Sequence, residues 1–311
     1  MKNLSADLHT HIPFKLGHSE YASYQPEDVL SAMQANKVNV LGIAGYNEDK
    51  FIDNCLKFAE LTGEGFRTEA DSLLLKVTDP KINSVKEREF YFPRINEWST
   101  AEGFHLIIWG YQDKIKPDTE VRRSIDTALA KDCFVGIAHS FVDSSMRDIS
   151  LPKQMLLFDL CKEYDGKIAL EWNGYCIPGL RKFVDSVDKI VNRSRVNGFG
   201  DVNSELMGFN TDLSKQGINC PVYASSDLHV KIERDLAYIG RACTYAATFR
   251  EIKTGKDLQG IFKSRLFNSE SPIKTGYVSK DHFINAYAIP WAFEKLSKKM
   301  HTILRPNRQN Y

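Results

Sequence analysis

The stretch from Ala6 to Ser23, ADLHTHIPFKLGHSEYAS, carries three of the chain's eight histidines. His9 and His11 stand at i and i+2 within ADLHT, whose apolar start reads as a strand. Residues two apart on a strand share a face, so the pair offers two imidazoles side by side, a chelate suited to zinc, iron or manganese. The same spacing also serves as ordinary strand packing, and two ligands do not complete a metal site. The question is whether other segments supply the remaining donors.

The rest of the chain reads as strand and helix in alternation. PEDVLSAMQANK is a helix opened by Pro26 with acids in its first turn. VNVLGIAGY is an apolar, β-branched run typical of a buried parallel strand. DKFIDNCLKFAELTG has helical spacing and a glycine stop, and GFRTEADSLLLKV leads into a hairpin containing EREFYFPRI. FHLIIWGY, CFVGIAHS, KIALEWN and CPVYASSDLH read as strands, separated by the helices DTEVRRSIDTALAKD, LPKQMLLFDLCKEYDG and PGLRKFVDSVDKIVNRS. About seven such repeats in a 311-residue chain favour an α/β fold, a distorted (β/α)7 barrel of the TIM type, over an open sheet. The expected division is a barrel domain over residues 1–280 and a helical tail over 281–311 broken at Pro290. Residues 193–216, rich in Gly and Asn, read as a long loop or insertion in the barrel.

Composition narrows the classes. With 42% hydrophobic residues the chain can bury a large core, and its net charge of +1 sets up no general field favouring nucleic acid or membrane. The six cysteines form no CxxC pair and read as reduced thiols. There is no signal-peptide core and no apolar run of membrane-spanning length, so the expectation is a cytoplasmic protein.

Marking polar residues at strand ends returns to the opening question. His9 and His11 end the first strand, Glu69 lies on the third, and His105 begins the fourth. His139 follows the fifth, Glu171 ends the sixth, and Asp227 and His229 follow the seventh. In an α/β barrel the C-terminal strand ends converge on one mouth, where catalytic groups collect. Six of the eight histidines fall at or near such ends; His282 and His301 lie in the tail. Each residue alone has an ordinary reading as a core, capping or surface group, and the clustering is what points to metal.

These segments resemble the polymerase and histidinol phosphatase (PHP) family of metal-dependent phosphoesterases. DLHTH is similar to that family's first motif, GIAHS to its short AHP-like motif with Ser140 in place of Pro, and ASSDLH to its closing SDAH motif. The resemblance spans roughly residues 6–230. It implies one ion held by His9, His11, Glu69 and Asp227. Glu69, with Glu64 as its competitor, would bridge to a second ion held also by His105 and His139, and His18 and His229 would help hold a third. Asp7 is expected to orient a ligand histidine from behind. The family's ITDH motif is replaced by IAGY, which puts Tyr46 where a histidine would complete the third site. A neutral phenol is a poor ligand, so the third ion is expected to be weak, with Tyr46 a possible substrate contact.

Two or three divalent ions, zinc, manganese or iron, would then be the cofactors. A pair about 4 Å apart activates a bridging water for phosphoester hydrolysis without a protein nucleophile. Candidate substrate contacts are Arg147, Arg241 and Glu171, with Lys15 and Arg67 as further cations near strand ends. The favoured substrate is a small-molecule phosphomonoester, such as a nucleotide or a histidinol-phosphate-like compound. The alternatives are a nucleic-acid phosphodiesterase or nuclease and a non-catalytic module with a degraded third site. A metal-dependent amidohydrolase would also begin with HxH, but no strand here ends in a lysine among the ligands.

Overall fold

A computed structural model describes residues 1–13, 24–80, 87–113, 116–142, 149–174, 176, 202–230, 233–268 and 273–277. The chain runs β1 (Lys2–His11), α1 (Pro26–Ala35), β2 (Val40–Ile43), β3 (Gly45–Tyr46), α2 (Phe51–Ala59), β4 (Arg67–Ala70), β5 (Leu74–Asp79), β6 (Arg88–Pro93), β7 (Ile95–Ser99) and β8 (His105–Trp109). It continues α3 (Val121–Leu129), β9 (Phe134–Ala138), α4 (Leu151–Glu163), β10 (Ile168–Asn173), α5 (Val202–Lys215), β11 (Val222–Ser225), β12 (Leu228–His229), β13 (Cys243–Thr248), α6 (Gly255–Asn268) and β14 (Ile273–Lys274).

The described strands form two sheets. One is ordered β14-β13-β1-β2-β6-β5-β4, with β12 also on β1; the other is ordered β11-β10-β9-β8-β7-β3. The expected strand-then-helix rhythm survives in β1–α1–β2, in β9–α4–β10 and in β10–α5–β11, whose strands pair in parallel. Elsewhere it gives way: β4, β5 and β6 form an antiparallel meander, and β8 runs antiparallel to both β7 and β9. The mixed α/β architecture agrees with expectation, and uniform parallel order does not hold. No helix appears between β7 and β8; the connection runs only from Thr100 to Phe104, long enough for a hairpin and too short for a crossover.

The two sheets share one apolar cluster. Leu4, Ala6 and Leu8 of β1 meet Tyr91, Ile107, Trp109, Phe134, Ala169 and Tyr223 there. Strands approach closely enough that Gly136 is required, since a Cβ at that position would stand 2.6 Å from the Tyr223 ring. Further clusters lie under the helices, with Val121, Ile125, Leu157 and Leu160 in one and Val29, Met33 and Phe58 in another.

Part of the segment 193–216 differs from expectation. Residues 202–215 are helix α5, not loop, because Val202, Leu206 and Leu213 recur at helical spacing and bury one face. Gly208 interrupts that pattern without breaking the helix: no atom lies within 4 Å of where its Cβ would be. Residues 193–201 and the tail 281–311 lie outside the described residues. Among the described residues no helix is long and apolar enough to cross a membrane, and all six cysteines are free.

Candidate metal centre

Sheet pairing gathers the histidines. His11 of β1 registers with His229 of β12, which puts the first and last motifs side by side. His105 registers with Ser99 on one side and Ala138 on the other, so His139 falls next to it. Tyr46 of β3 registers with Glu97 of β7. Neighbouring strands are under 5 Å apart, so these registers gather His11 and His229 in one sheet and Tyr46, Glu97, His105 and His139 in the other.

Two groups of donors result. In the first, His9 Nε2 lies 3.0 Å from His11 Nε2 and 3.4 Å from Asp227 Oδ1, and His11 Nε2 lies 3.5 Å from the same oxygen. In the second, His105 Nδ1 lies 3.1 Å from His139 Nε2. Glu97 stands between them. Its Oε2 is 3.2 Å from His11 Nε2 and 3.6 Å from His9 Nε2, while its Oε1 is 2.7 Å from His105 Nδ1 and 3.5 Å from His139 Nε2. Two ligands at zinc-like bond lengths and a tetrahedral angle are roughly 3.4 Å apart. The donor sets His9–His11–Asp227 and Glu97–His105–His139 therefore have the spacing and the mixed nitrogen and oxygen chemistry of divalent cation sites.

Behind the donors is a buried hydrogen-bond network. Glu171 Oε1 accepts from His9 Nδ1 at 2.8 Å and from the Ser225 hydroxyl. Its Oε2 accepts from the His139 backbone N–H at 2.8 Å and from Asn173 Nδ2 at 2.9 Å. Asn173 Nδ2 also donates to Asp227 Oδ2 at 3.0 Å. His139 and Asp227 both have left-handed backbones, with φ of 30° and 51°. Such conformations are costly for side-chain-bearing residues and persist where the surroundings enforce them; here Glu171 and Asn173 hold both.

The electrostatics follow from packing acids and imidazoles out of water. Burial pulls His9 down, but Asp227, Glu171 and Glu97 outweigh it and hold the imidazole well above its usual range. Burial also opposes charge on His11, yet hydrogen bonds to Asp227 and Glu97 lift it to about 9. Burial alone would raise Glu97 and Asp227; His9 and its neighbours instead hold both carboxyls well below their ordinary value. The centre thus has strongly negative character, and a cation competes with protons for the same lone pairs. Burial keeps His105 below its usual value and therefore neutral.

Several expected residues are placed differently. Glu97 stands where Glu69 was expected. Glu69 lies on β4 with its side chain 70% exposed, 3.8 Å from Lys76, on the meander that the parallel reading did not foresee. Glu97 is 3% exposed, and its only signal in the sequence is a carboxylate inside the otherwise strand-like INEWS. Glu171, expected as a substrate contact, is buried behind His9 and accepts the hydrogen bond from its Nδ1. Asp7 does not bond a ligand histidine. It accepts from the Ser226 N–H and hydroxyl at 2.9 and 2.6 Å and from the Gly240 N–H at 2.9 Å, and burial lifts its carboxyl to about 6. Asp7 thereby anchors the turn just before Asp227.

His229 stacks on His11 at 4.4 Å and lies 3.4 Å from Asp227 Oδ1. Tyr46 is half-exposed beside His105, with its oxygen 3.4 Å from His105 Nε2. Burial, with Glu97 nearby, raises the phenol above its ordinary value, so it is neutral. Arg67 pairs with Glu87 at 2.5 Å, and Arg241 is exposed with its guanidinium 5.7 Å from the Tyr238 ring centre. Lys15, His18 and Arg147, and the Glu64 side chain, lie outside the described residues.

No protein-family model and no curated protein matches the chain. Solved structures do. PsfC from Pseudomonas syringae PB-5123 superposes with a TM-score of 0.51 at 10% identity, over 94% of this chain and 99% of PsfC. Endonuclease Q, in complex with a 27-mer duplex bearing an abasic lesion at the active site, gives a TM-score of 0.42 at 13% identity, over 85% of this chain and 57% of that one. The lesion-specific endonuclease of Pyrococcus furiosus gives 0.43 at 12% identity, over 92% and 66%. The PsfC likeness speaks for the fold alone.

Proposed function

We propose that the chain is a metal-dependent phosphoester hydrolase, working at the centre built by His9, His11, Glu97, His105, His139 and Asp227. The observation that carries this reading is Glu97, whose two carboxylate oxygens face two different histidine groups. A single buried carboxylate shared between two donor sets is what a paired cation site requires, and isolated structural histidines have no need of it.

When bound there, divalent ions would supply Lewis acidity toward a phosphoryl oxygen and toward the attacking water. The chain's own residues do the rest. His9, His11 and Asp227, with Glu97 Oε2, would form the first holding set; His105 and His139, with Glu97 Oε1, the second. Glu171 keeps the His9 ring oriented with Nε2 toward the centre, since Nδ1 is committed to the carboxylate. Asn173 ties Glu171 to Asp227, so the donors move as one unit. His229, stacked on His11 at the partly open side, is a third-site or substrate contact.

A small-molecule phosphomonoester and a nucleic-acid phosphodiester are both served by this arrangement, which acts on the phosphoryl group they share. The substrate panel therefore includes p-nitrophenyl phosphate, its bis ester, nucleotides, single-stranded DNA and a duplex with an abasic site. Protein loaded with Mn2+ or Zn2+ is expected to hydrolyse at least one class, and EDTA to abolish the activity. Metal-loaded protein that leaves the whole panel intact would overturn the reading. Salt-sensitive DNA cleavage together with inert monoesters would assign the nuclease class.

A further inference from the structure

We propose that Tyr46 is a positioning residue for the second donor group: its phenol oxygen accepts the Nε2–H of His105 and so leaves the Nδ1 lone pair free for a cation shared with Glu97 and His139. The inference rests on the metal-dependent reading above.

The two nitrogens of His105 have different surroundings. Nδ1 points to Glu97 Oε1 at 2.7 Å and His139 Nε2 at 3.1 Å, the donor side of the ring. Nε2 points to Tyr46 Oη at 3.4 Å, and among the described residues no other hydrogen-bonding partner faces it. An imidazole that gives one nitrogen to a cation carries its proton on the other, and whatever accepts that proton sets the tautomer and the ring angle. In the first group that acceptor for His9 is Glu171, a buried carboxylate. For His105 it is a neutral phenol, 48% exposed.

The phenol does not drift into this place. Tyr46 registers directly with Glu97, and the next residue clamps the strands together. Asn47 adopts a left-handed backbone (φ 53°), its N–H donates to the Glu97 carbonyl at 2.7 Å, and its side chain closes a pair of hydrogen bonds with Ser99. The Tyr46 ring meets His105 edge-on, with centroids 5.3 Å apart. Although it stands where the family resemblance expects a third-ion ligand, Tyr46 is thus directed at a ligand of the second ion. A phenol is a weaker acceptor than a carboxylate and makes the imidazole a weaker base, so the second ion is the more exchangeable of the two.

The test is Co2+ titration of the full chain in competition with a chromophoric chelator, following the visible Co2+ bands, for wild type, Tyr46→Phe and Tyr46→Gln. Wild type is expected to bind a tight and a weaker ion. Tyr46→Phe is expected to weaken only the weaker step, by roughly 10–100-fold, the usual cost of losing such a partner, and to shift its band. Tyr46→Gln, which offers a carbonyl acceptor, should recover at least part of that loss. Two-ion binding in Tyr46→Phe that matches wild type, or equal weakening of both steps, overturns the inference while the proposed function stands. A wild type that binds no Co2+ overturns both.

Discussion

The two ends of β1 hold two carboxylate clusters with opposite answers to the same problem. At the Lys2 end, Glu89 is bonded by Lys2 and lies 2.7 Å from Lys76, while Glu69 lies 3.8 Å from Lys76. At the His9 and His11 end, Glu97, Glu171 and Asp227 face imidazoles, and none is recorded within ion-pair distance of a lysine or arginine among the described residues. The first cluster carries its own permanent cations and sits near water, so it is a structural ion-pair network. The second is buried, and among the described residues the groups facing its carboxylates are imidazoles, whose protons a bound cation would displace. A buried acidic cluster without permanent counterions is costly unless a cation from outside completes it. Among the described residues, the lack of a lysine or arginine beside these acids, more than the presence of histidine, separates the two ends.

The largest test of that contrast is Glu97→Gln. It removes the charge shared by both donor sets, and hydrolysis is expected to fall by more than about 100-fold, beyond the loss usual for an outer partner of a ligand. Mn2+ should raise the melting temperature of wild type and much less that of the variant, because ligand binding to the native state stabilises it by mass action. A variant with full activity would erase the distinction between the two ends.

Glu171→Gln comes next. Its carboxylate holds His9 on one oxygen and the His139 backbone on the other. Metal affinity is expected to drop about 10–100-fold, measured by chelator competition, with both donor groups affected. An effect confined to one ion would show that the His139 contact does not matter.

At the other end the effect is smaller and follows pH. Burial would raise the Glu89 carboxyl, but bonds from Lys2, Lys76 and Tyr91 bring it down to about 2 from 4.5. A depressed carboxyl stabilises the fold fully above its unfolded pKa and loses that contribution as pH falls through the folded value. Glu89→Gln should therefore cost about 1 kcal/mol at neutral pH, and the gap from wild type should close between pH 5 and pH 2 in urea melts. A gap that is constant with pH would mean that packing, not charge, holds this end.

The smallest expected effect is that of Glu69→Gln: metal content and hydrolysis unchanged within error. Loss of either would return Glu69 to the centre and contradict its position on β4.

Much of the centre was legible because its motifs are local. His9 with His11, and Asp227 with His229, each lie within three residues of one another on or beside a strand, so spacing alone marks them. Glu97 was not, because nothing in RINEWST separates an inward carboxylate from a solvated one. Its role follows from which strands flank β7, and that is a long-range fact. Glu69 was favoured because a strictly parallel count of strands puts it at the mouth; the antiparallel β4–β5–β6 meander carries it away instead. Helix α5 was hidden for a related reason. Gly208 and polar residues such as Ser204, Glu205, Thr211, Asp212 and Ser214 occupy its exposed positions, while the Val202, Leu206 and Leu213 stripe that makes it a helix contributes only against the core.

The position of β1 has a consequence for how the chain is made. This first strand is flanked by β2 on one side and by β13 on the other, with Lys2 opposite Thr248 and Thr10 opposite Leu228. One edge of the strand thus has no partner until more than two hundred further residues have left the ribosome. At bacterial-to-eukaryotic synthesis rates of about 5–20 residues per second, that is roughly ten seconds or more with an apolar strand edge open. High contact order slows the closing step further, and an unpaired edge recruits other chains. The nascent chain is therefore a natural client for a chaperone, and the candidate metal centre is among the last features to form.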